Sequence, residues 1–245
     1  MSTIKTLFSC LLLIYTTHAA DKQAHSRFLQ ETSKTWQQAF SDPMTANWQE
    51  KWFLDGQYAK VTNNSEYLTI NTEDNEQSDK VYGVLWTKQS FNGDVRIEYD
   101  FKSANTHFKG VNIIYIQATG DGQKNNTEDI FQWSEKRTSA AMSDYFLNMH
   151  TYHISYAAFG NKPNIDYQDY VRGRRYLPEA NKGMKNTVMK GEYNDTGLFK
   201  DQQWIHVTII KKDKKLWVEF KHPEKTLLCY FENDKVVPDG SRLKI

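Results

Sequence analysis

Short runs of alternating polar and apolar residues recur along most of this chain and constrain its fold more than any other feature. The clearest run spans Asp94–Phe101 and follows the turn-forming pair Asn92-Gly93. A period of two places the apolar side chains on one face of a strand. The run Val111–Gln117 is instead almost continuously apolar, which predicts a central strand. Because no helical period is sustained, the pattern favours an antiparallel β-sandwich.

Further strands are predicted throughout the rest of the chain. They are Glu66–Ile70, Tyr82–Trp86, Tyr145–Phe159, Asp166–Pro178, Trp204–Ile210 and Leu216–Phe220. The last two would form a hairpin across the basic tract Lys211–Lys215, which we interpret as a solvated turn. Residues 21–40 are polar with widely spaced apolar positions and predict a short helix that leads into the domain. We therefore predict a single all-β domain over residues 21–245.

The amino-terminal segment has the three parts of a secretory signal peptide. Lys5 is followed by the apolar run Leu7–Tyr15 and then by small residues that end at Ala20. We predict that residues 1–20 are removed, which would leave a secreted or periplasmic protein without a membrane span. Cys10 would leave with the signal, and the apolar neighbours of Cys229 predict a buried structural cysteine.

Charge and aromatic content narrow the classes of partner. Lys and Arg number 31 against 30 Asp and Glu, for a formal net charge of +1. This balance lacks the excess of positive charge that a nucleic-acid-binding protein needs, so we expect no nucleic-acid partner. Aromatic residues make up 14% of the chain. Such residues pack well in sheets, and their ring faces can also stack on sugars.

Several of these stretches resemble known proteins. The hairpin of Trp204–Ile210 and Leu216–Phe220 resembles a late hairpin of concanavalin-A-like jelly rolls. Phe91–Phe101, Asn148–Tyr156 and Tyr170–Pro178 are similar to an uncharacterised bacterial family with a lectin/glucanase-like fold, often encoded in polysaccharide-utilisation loci. The resemblance covers about residues 40–235 and implies a jelly roll in a carbohydrate context, without established catalytic residues.

The resemblance also implies a further strand near the carboxyl terminus, beside the first strand of the sandwich. The sequence given stops at Ile245. We expect the fold to lack that strand or to close differently.

Glucanases of this superfamily carry three acidic residues on one strand, and this chain departs from that pattern. Glu98 and Asp100 share a strand face, but the third acidic position holds Lys102 or, in the longer variant of the motif, Ser103. With Arg96 on the same face, the charges alternate along the strand. We therefore predict a solvated, salt-bridged outer face rather than a hydrolase site.

The block Tyr145–Tyr176 concentrates the side chains that β-elimination in a uronate polymer requires. Arg and Asn can neutralise the substrate carboxylate, and His and Tyr can act as base and acid. We predict His153 and Tyr156 as the catalytic pair. The predicted substrate-binding residues are Asn148, His150, Tyr152, Arg172, Arg174, Arg175 and Tyr176.

Strand alternation divides this candidate site between two faces. Asn148, His150, Tyr152 and Tyr156 would share one face, and His153 would point to the other. Both faces cannot line one groove, so some of these residues must be structural. The sequence leaves open which face binds the substrate.

The leading hypothesis is thus a polysaccharide lyase for acidic polysaccharides or oligosaccharides. The same residues would also suit a glycan-binding module without turnover, and a glycoside hydrolase with an unrecognised acid pair is a third alternative. No cofactor or catalytic metal is predicted. The oxygen-rich loop Asn71–Asp79 could bind structural calcium, although it lacks the glycine and terminal glutamate of an EF-hand.

Overall fold

The computed structural model describes residues 22–72, 82–103, 111–123, 126–159, 169–179, 183–200 and 202–233. Its twelve strands are β1 Trp52–Asp55, β2 Lys60–Asn63, β3 Leu68–Asn71, β4 Val84–Thr87, β5 Val95–Lys102, β6 Asn112–Gly120, β7 Met149–Phe159, β8 Asp169–Tyr176, β9 Val188–Asn194, β10 Trp204–Lys212, β11 Lys215–His222 and β12 Lys225–Glu232. The α-helices are α1, residues 22–32, and α2, Met142–Phe146. Two 3-10 helices span Trp48–Glu50 and Ile130–Lys136.

Eight strands form one curled antiparallel sheet in the order β5-β10-β11-β12-β9-β8-β7-β6. The junction between β12 and β9 is narrow, because a single aligned pair among the described residues, Glu232 with Lys190, joins the two strands. We call β5-β10-β11-β12 sheet I and β9-β8-β7-β6 sheet II. Strands β1 and β4 form a separate pair, as do β2 and β3.

The curl brings sheets I and II face to face around an apolar core. Alternate residues of both sheets enter this core, among them Ile97, Ile154, Val207, Val218 and Phe231. Gly173 of sheet II lies against the Phe231 ring of sheet I, where an added Cβ would come within 2.7 Å of the ring. This close approach requires glycine at position 173. The prediction of an antiparallel all-β sandwich is confirmed, and the jelly-roll strand order stays a prediction.

Helix α1 covers part of the outer face of sheet I. Phe28, 2% exposed, packs there with Ile210 and Trp217. The Trp217 indole donates a hydrogen bond to the Ala24 carbonyl at 3.1 Å, and Lys212 pairs with Glu31 at 2.8 Å. The predicted leading helix is thus confirmed over residues 22–32, and it docks on the sandwich.

A second layer covers part of the outer face of sheet II. It consists of the β1–β4 pair, the 3-10 helix Ile130–Lys136 and α2. Its apolar core joins Phe53 and Trp86 of this layer to Tyr115, Met149 and Tyr176 of sheet II. Strands β6, β7 and β8 are therefore buried on both faces over part of their length.

This second layer explains a wrong prediction about Val111–Gln117. Residues 112–117 of this segment belong to β6, which among the described strands pairs only with β7 and lies at an end of the sheet order. Its apolar run reflects burial on both faces, since Ile116 enters the sandwich core and Tyr115 enters the second core. Continuous apolarity indicated two-sided burial but not a central position.

Other predictions are confirmed locally. Strands β10 and β11 form the expected hairpin, and Cys229 is buried, which raises the pKa of its thiol. Within the described ranges, no helix is long and apolar enough to cross a membrane. The predicted signal peptide and residues 234–245, on which the prediction of a missing or differently placed closing strand depends, lie outside the described residues.

The docking of α1 can be tested on its two faces. Phe28→Ala should lower the free energy of unfolding by about 3 kcal/mol, because it removes a buried ring from a packed interface. Leu29→Ala is the matched control on the same helix, since Leu29 is 53% exposed. Denaturant unfolding of the mature protein measures both. Equal small effects would show that α1 does not contribute to the stability of the sandwich.

Candidate functional site

The structure divides the predicted site residues between the two faces of sheet II. Those on the outer face of β7 and β8 are His153, Arg172, Arg174 and Tyr176, whereas those on the inner face are Tyr152, Tyr156 and Arg175. The predicted alternation of faces along β7 is therefore confirmed for Tyr152, His153 and Tyr156. The two residues predicted as a catalytic pair, His153 and Tyr156, point away from each other and cannot contact the same bound sugar.

Tyr156 belongs to the sandwich core. Its hydroxyl lies 3.2 Å from the Tyr99 hydroxyl, and its ring packs against Phe101 and Phe220. Burial raises the pKa of Tyr156 to about 12. With only 6% of its surface exposed, Tyr156 has the contacts of a structural residue.

Tyr152 and Arg175 form a second internal pair. The Arg175 guanidinium lies 4.7 Å from the centre of the Tyr152 ring, and the two residues are 2% and 0% exposed, respectively. Burial lowers the pKa of Arg175 to about 10. This pair packs the interior of the sandwich, so Arg175 does not join the other two arginines of its strand.

His153 lies on the outer face of sheet II with Tyr176. Its Nδ1 is hydrogen-bonded to the Tyr176 hydroxyl, which also interacts with the Tyr115 hydroxyl. Among the described residues, Nε2 of His153 has no hydrogen-bond partner. Burial, and then the charges of Arg174 and Arg172, lower the pKa of His153 to about 3. The imidazole is therefore neutral at neutral pH.

Two arginines flank His153 on the same face. Arg174 is aligned with His153 across the β7–β8 ladder, and Arg172 is aligned with Ser155. Arg174 donates to Thr187 Oγ1 at 2.8 Å, whereas Arg172 donates to Glu192 at 2.9 Å. Both arginine side chains are partly exposed. Arg174 thus places a positive charge beside the neutral histidine, whereas the charge of Arg172 is paired with Glu192.

Asn148 and His150 lie at the start of β7 and are held by neighbouring loops. Asn148 accepts a hydrogen bond from Asn126 and donates one to the Asp144 carbonyl, both at 3.0 Å. His150 Nε2 lies 2.6 Å from a carboxylate oxygen of Glu179. These contacts fix the loops at this end of sheet II, and the structure does not bring either residue to the arginines.

The second layer, which covers part of this face, contains a buried polar network that the sequence did not reveal. Asp55 accepts hydrogen bonds from Arg137 at 2.6 Å, Trp86 at 2.7 Å and Tyr145 at 3.3 Å. The side chains of Asp55 and Arg137 are 0% and 1% exposed. Tyr115 packs between Trp86 and Tyr145, with ring centres 5.5 and 5.1 Å away. The network thus supports the tyrosine that contacts Tyr176.

The rejected acidic motif lies on the outer face of sheet I. Arg96 pairs with Glu98 at 2.8 Å, and His206 lies 2.8 Å from Asp100. The predicted salt-bridged surface is confirmed. The described residues contain no cluster of three or more His, Cys, Asp or Glu that could hold a metal ion. Most of the predicted calcium loop, from residue 73 to residue 79, lies outside them.

The buried Asp55–Arg137 pair generates a stability prediction. Arg137→Leu should lower the free energy of unfolding by about 3–5 kcal/mol, because it leaves the Asp55 carboxylate buried without its cation. Glu192→Gln is the control, since it breaks the exposed Arg172 pair and should cost less than about 1 kcal/mol. Denaturant unfolding measures the free energy of unfolding of both variants. Similar losses in the two variants would contradict the buried-charge argument.

The lowered pKa of His153 generates a pH prediction. Between pH 6.5, the ordinary histidine pKa, and about 3, the unfolded chain binds a proton that the folded chain does not bind. The contribution of the neutral His153 to the free energy of unfolding is fully present above this pH window and is lost as the pH falls through it. Denaturant unfolding from about pH 7 to about pH 5 should show a decrease of about 2 kcal/mol that His153→Asn abolishes. His222→Asn is the control and should keep the wild-type decrease. The same decrease in wild type and His153→Asn would refute the assignment.

The outer face of sheet II therefore combines an enclosed neutral His153, a bound Tyr176 hydroxyl and two partly exposed arginines. His153 is 1% exposed and Tyr176 is 0% exposed. No model of a protein family matches this chain, and no curated protein matches it. The chemistry of these four side chains is therefore the basis on which a function can be proposed.

Proposed function

We propose that this protein is exported and cleaves an acidic, uronate-containing polysaccharide by β-elimination at the outer face of sheet II. The observation that carries the proposal is the hydrogen bond between a neutral His153 and Tyr176 beside Arg172 and Arg174. One face of two adjacent strands thus supplies a base, an acid and cations for a carboxylate. The family resemblance of the sequence supports the carbohydrate context.

Each group has a defined task in the proposed reaction. Arg172 and Arg174 would bind the uronate carboxylate and stabilise the negative charge that develops when C5 loses its proton. In the tautomer with hydrogen on Nδ1, His153 donates to the Tyr176 oxygen and keeps the Nε2 lone pair available for that proton. The C4–O bond then breaks as the C4–C5 double bond forms.

Tyr176 is the proposed acid for the departing oxygen. Burial raises the pKa of Tyr176, which keeps its hydroxyl protonated at neutral pH. Tyr176 takes the place of Tyr156 as the partner of His153 because it shares a face with His153, whereas Tyr156 lies inside the sandwich. The sequence had paired His153 with Tyr156 as acid and base, and here His153 is the base.

Enclosure of His153 sets a condition on this mechanism. The polymer must enter beside the partly exposed arginines and displace the side chains that cover Nε2. A substrate bound there would be shielded from water, which strengthens its electrostatic interactions with the arginines. This condition distinguishes the lyase from a glycan-binding module without turnover.

The second candidate is a glycan-binding module without turnover. The enclosure of His153 and Tyr176 favours it, because Arg172 and Arg174 can contact an anionic sugar at the surface while the buried pair remains part of the fold. The two candidates share a ligand class and differ only in whether a covalent bond breaks.

Activity on polygalacturonate, alginate and chondroitin sulfate tests the proposal. Elimination creates an unsaturated uronate whose ultraviolet absorbance rises, whereas hydrolysis and binding do not. We expect His153→Ala and Tyr176→Phe to abolish the rise while retention in gels containing the polymer persists. The matched control is Tyr156→Phe, which removes a core hydroxyl and should leave turnover intact.

Three other results would overturn the lyase, the assignment of the outer face or the ligand class. Retention without any rise in absorbance would establish the binding module in place of the lyase. Loss of activity in Tyr156→Phe but not in Tyr176→Phe would overturn the assignment of the outer face. If none of the three polymers is retained and none gives a rise in absorbance, the acidic-polysaccharide proposal is overturned.

A further inference from the structure

An aromatic and cationic cluster lies on the opposite side of the sandwich from His153. We call it the Trp204 cluster and define it by Tyr67, Lys102 and Trp204. Trp204 begins β10 and is aligned with Lys102 at the end of β5, so both side chains project from the outer face of sheet I. Tyr67 reaches them from the turn before β3. Three separate segments therefore build this surface.

The geometry of the cluster places a positive charge beside two aromatic rings. The Tyr67 and Trp204 rings meet edge to face, with centres 5.8 Å apart and planes at 63°. The Lys102 ammonium lies 4.8 Å from the centre of the Trp204 ring and 5.1 Å from that of Tyr67. These contacts hold the lysine side chain in place without neutralising its charge.

Two properties separate the Trp204 cluster from ordinary core packing. Trp204 is 46% exposed, whereas the other six tryptophans, all within the described ranges, are buried or only partly exposed. Lys102 makes no salt bridge with any described carboxylate, although neighbouring positions of this face do, as in the Arg96–Glu98 pair. Within the described part of the chain, the cluster therefore presents an exposed ring together with an ammonium that pairs with no carboxylate.

We propose that the Trp204 cluster is a second binding site for an anionic sugar residue of a polysaccharide. The pyranose ring would stack on Trp204, and its carboxylate or sulfate would pair with the Lys102 ammonium. The inference rests on the proposed function for its ligand class, and it adds a site on the face opposite the four side chains of the proposed lyase centre. No bond is made or broken at this site.

A polymer held at two places is retained more strongly than one held at either site. The second contact becomes intramolecular once the first has formed, so the two affinities reinforce each other. A chain bound at the Trp204 cluster would thus remain close to the protein after the opposite face released its products.

Gel retention with alginate, polygalacturonate and chondroitin sulfate tests the site. We expect Trp204→Ala and Lys102→Gln each to weaken retention by about fivefold, or about 1 kcal/mol, on the polymer that wild type binds best. Tyr82→Ala is the matched control, since Tyr82 is 47% exposed and lies outside the cluster. Retention in that control should equal the wild-type value. Denaturant unfolding with an unchanged midpoint would establish that each variant is folded.

A chemical experiment reports on the site without requiring turnover. N-Bromosuccinimide should oxidise Trp204 before the buried tryptophans, and peptide mass mapping locates the modified ring. The three acidic polymers, but not a neutral glucan, should slow this oxidation. Lys102→Gln should reduce the protection, because it removes the charge that selects the anionic sugar.

The failure of this site can be told apart from failure of the proposed function. Retention unchanged in Trp204→Ala, together with unprotected Trp204 in wild type, would overturn the second site and leave the lyase centre untouched. Protection of Trp204 without any turnover would support the site and count against the lyase. Equal protection by the neutral glucan would overturn the selection of anionic sugars.

Discussion

The carboxylate of Asp55 is buried between the second layer and sheet II, and its pairing with Arg137 governs how that layer can pack. A buried charge is costly unless a partner and hydrogen bonds compensate it. Arg137, Trp86 and Tyr145 all donate to the same oxygen of Asp55. Because these donors come from β4, α2 and the residue after the second 3-10 helix, one charge fixes the mutual positions of several segments.

The Asp55 network also supports the outer face of sheet II, through aromatic packing. Trp86 and Tyr145 hold Tyr115, and Tyr115 in turn contacts Tyr176. Tyr176 binds Nδ1 of His153. Burial beside the Tyr115 and Tyr176 rings is the main cause of the low pKa of His153. The adjacent arginines act in the same direction.

Alternation in the sequence was enough to predict strands and the division of faces, but not the environment of each face. In β5, a polar outer face meets solvent, so Arg96 and Glu98 were correctly placed in a salt-bridged surface. In β7 and β8, both faces are buried over part of their length. Residue type alone therefore did not distinguish Tyr156 of β7, in the sandwich core, from Tyr176 of β8, beside His153. Local patterns carry no information about which layer will cover a strand.

The missed Asp55–Arg137 pair has the same physical origin. The two residues are separated by 82 positions in the sequence, and neither lies in a pattern that indicates a buried charge. Similarly, Tyr67 and Trp204 are far apart in the chain and come together only because the β2–β3 pair lies beside the end of sheet I. Predictions from periodicity succeed where contacts are set along a strand and fail where they are set between layers.

The two charged surfaces face opposite sides of a sandwich whose packed sheets are about 10 Å apart. A single sugar residue cannot span this distance, so a polymer bound to both faces must pass around an edge of the sandwich or contribute two separate chains. At the β12–β9 junction the two sheets are hydrogen-bonded, whereas β5 and β6 lie at the two ends of the strand order. Simultaneous occupation of both surfaces therefore favours long or entangled polymers over short oligosaccharides, since only they offer a second segment within reach.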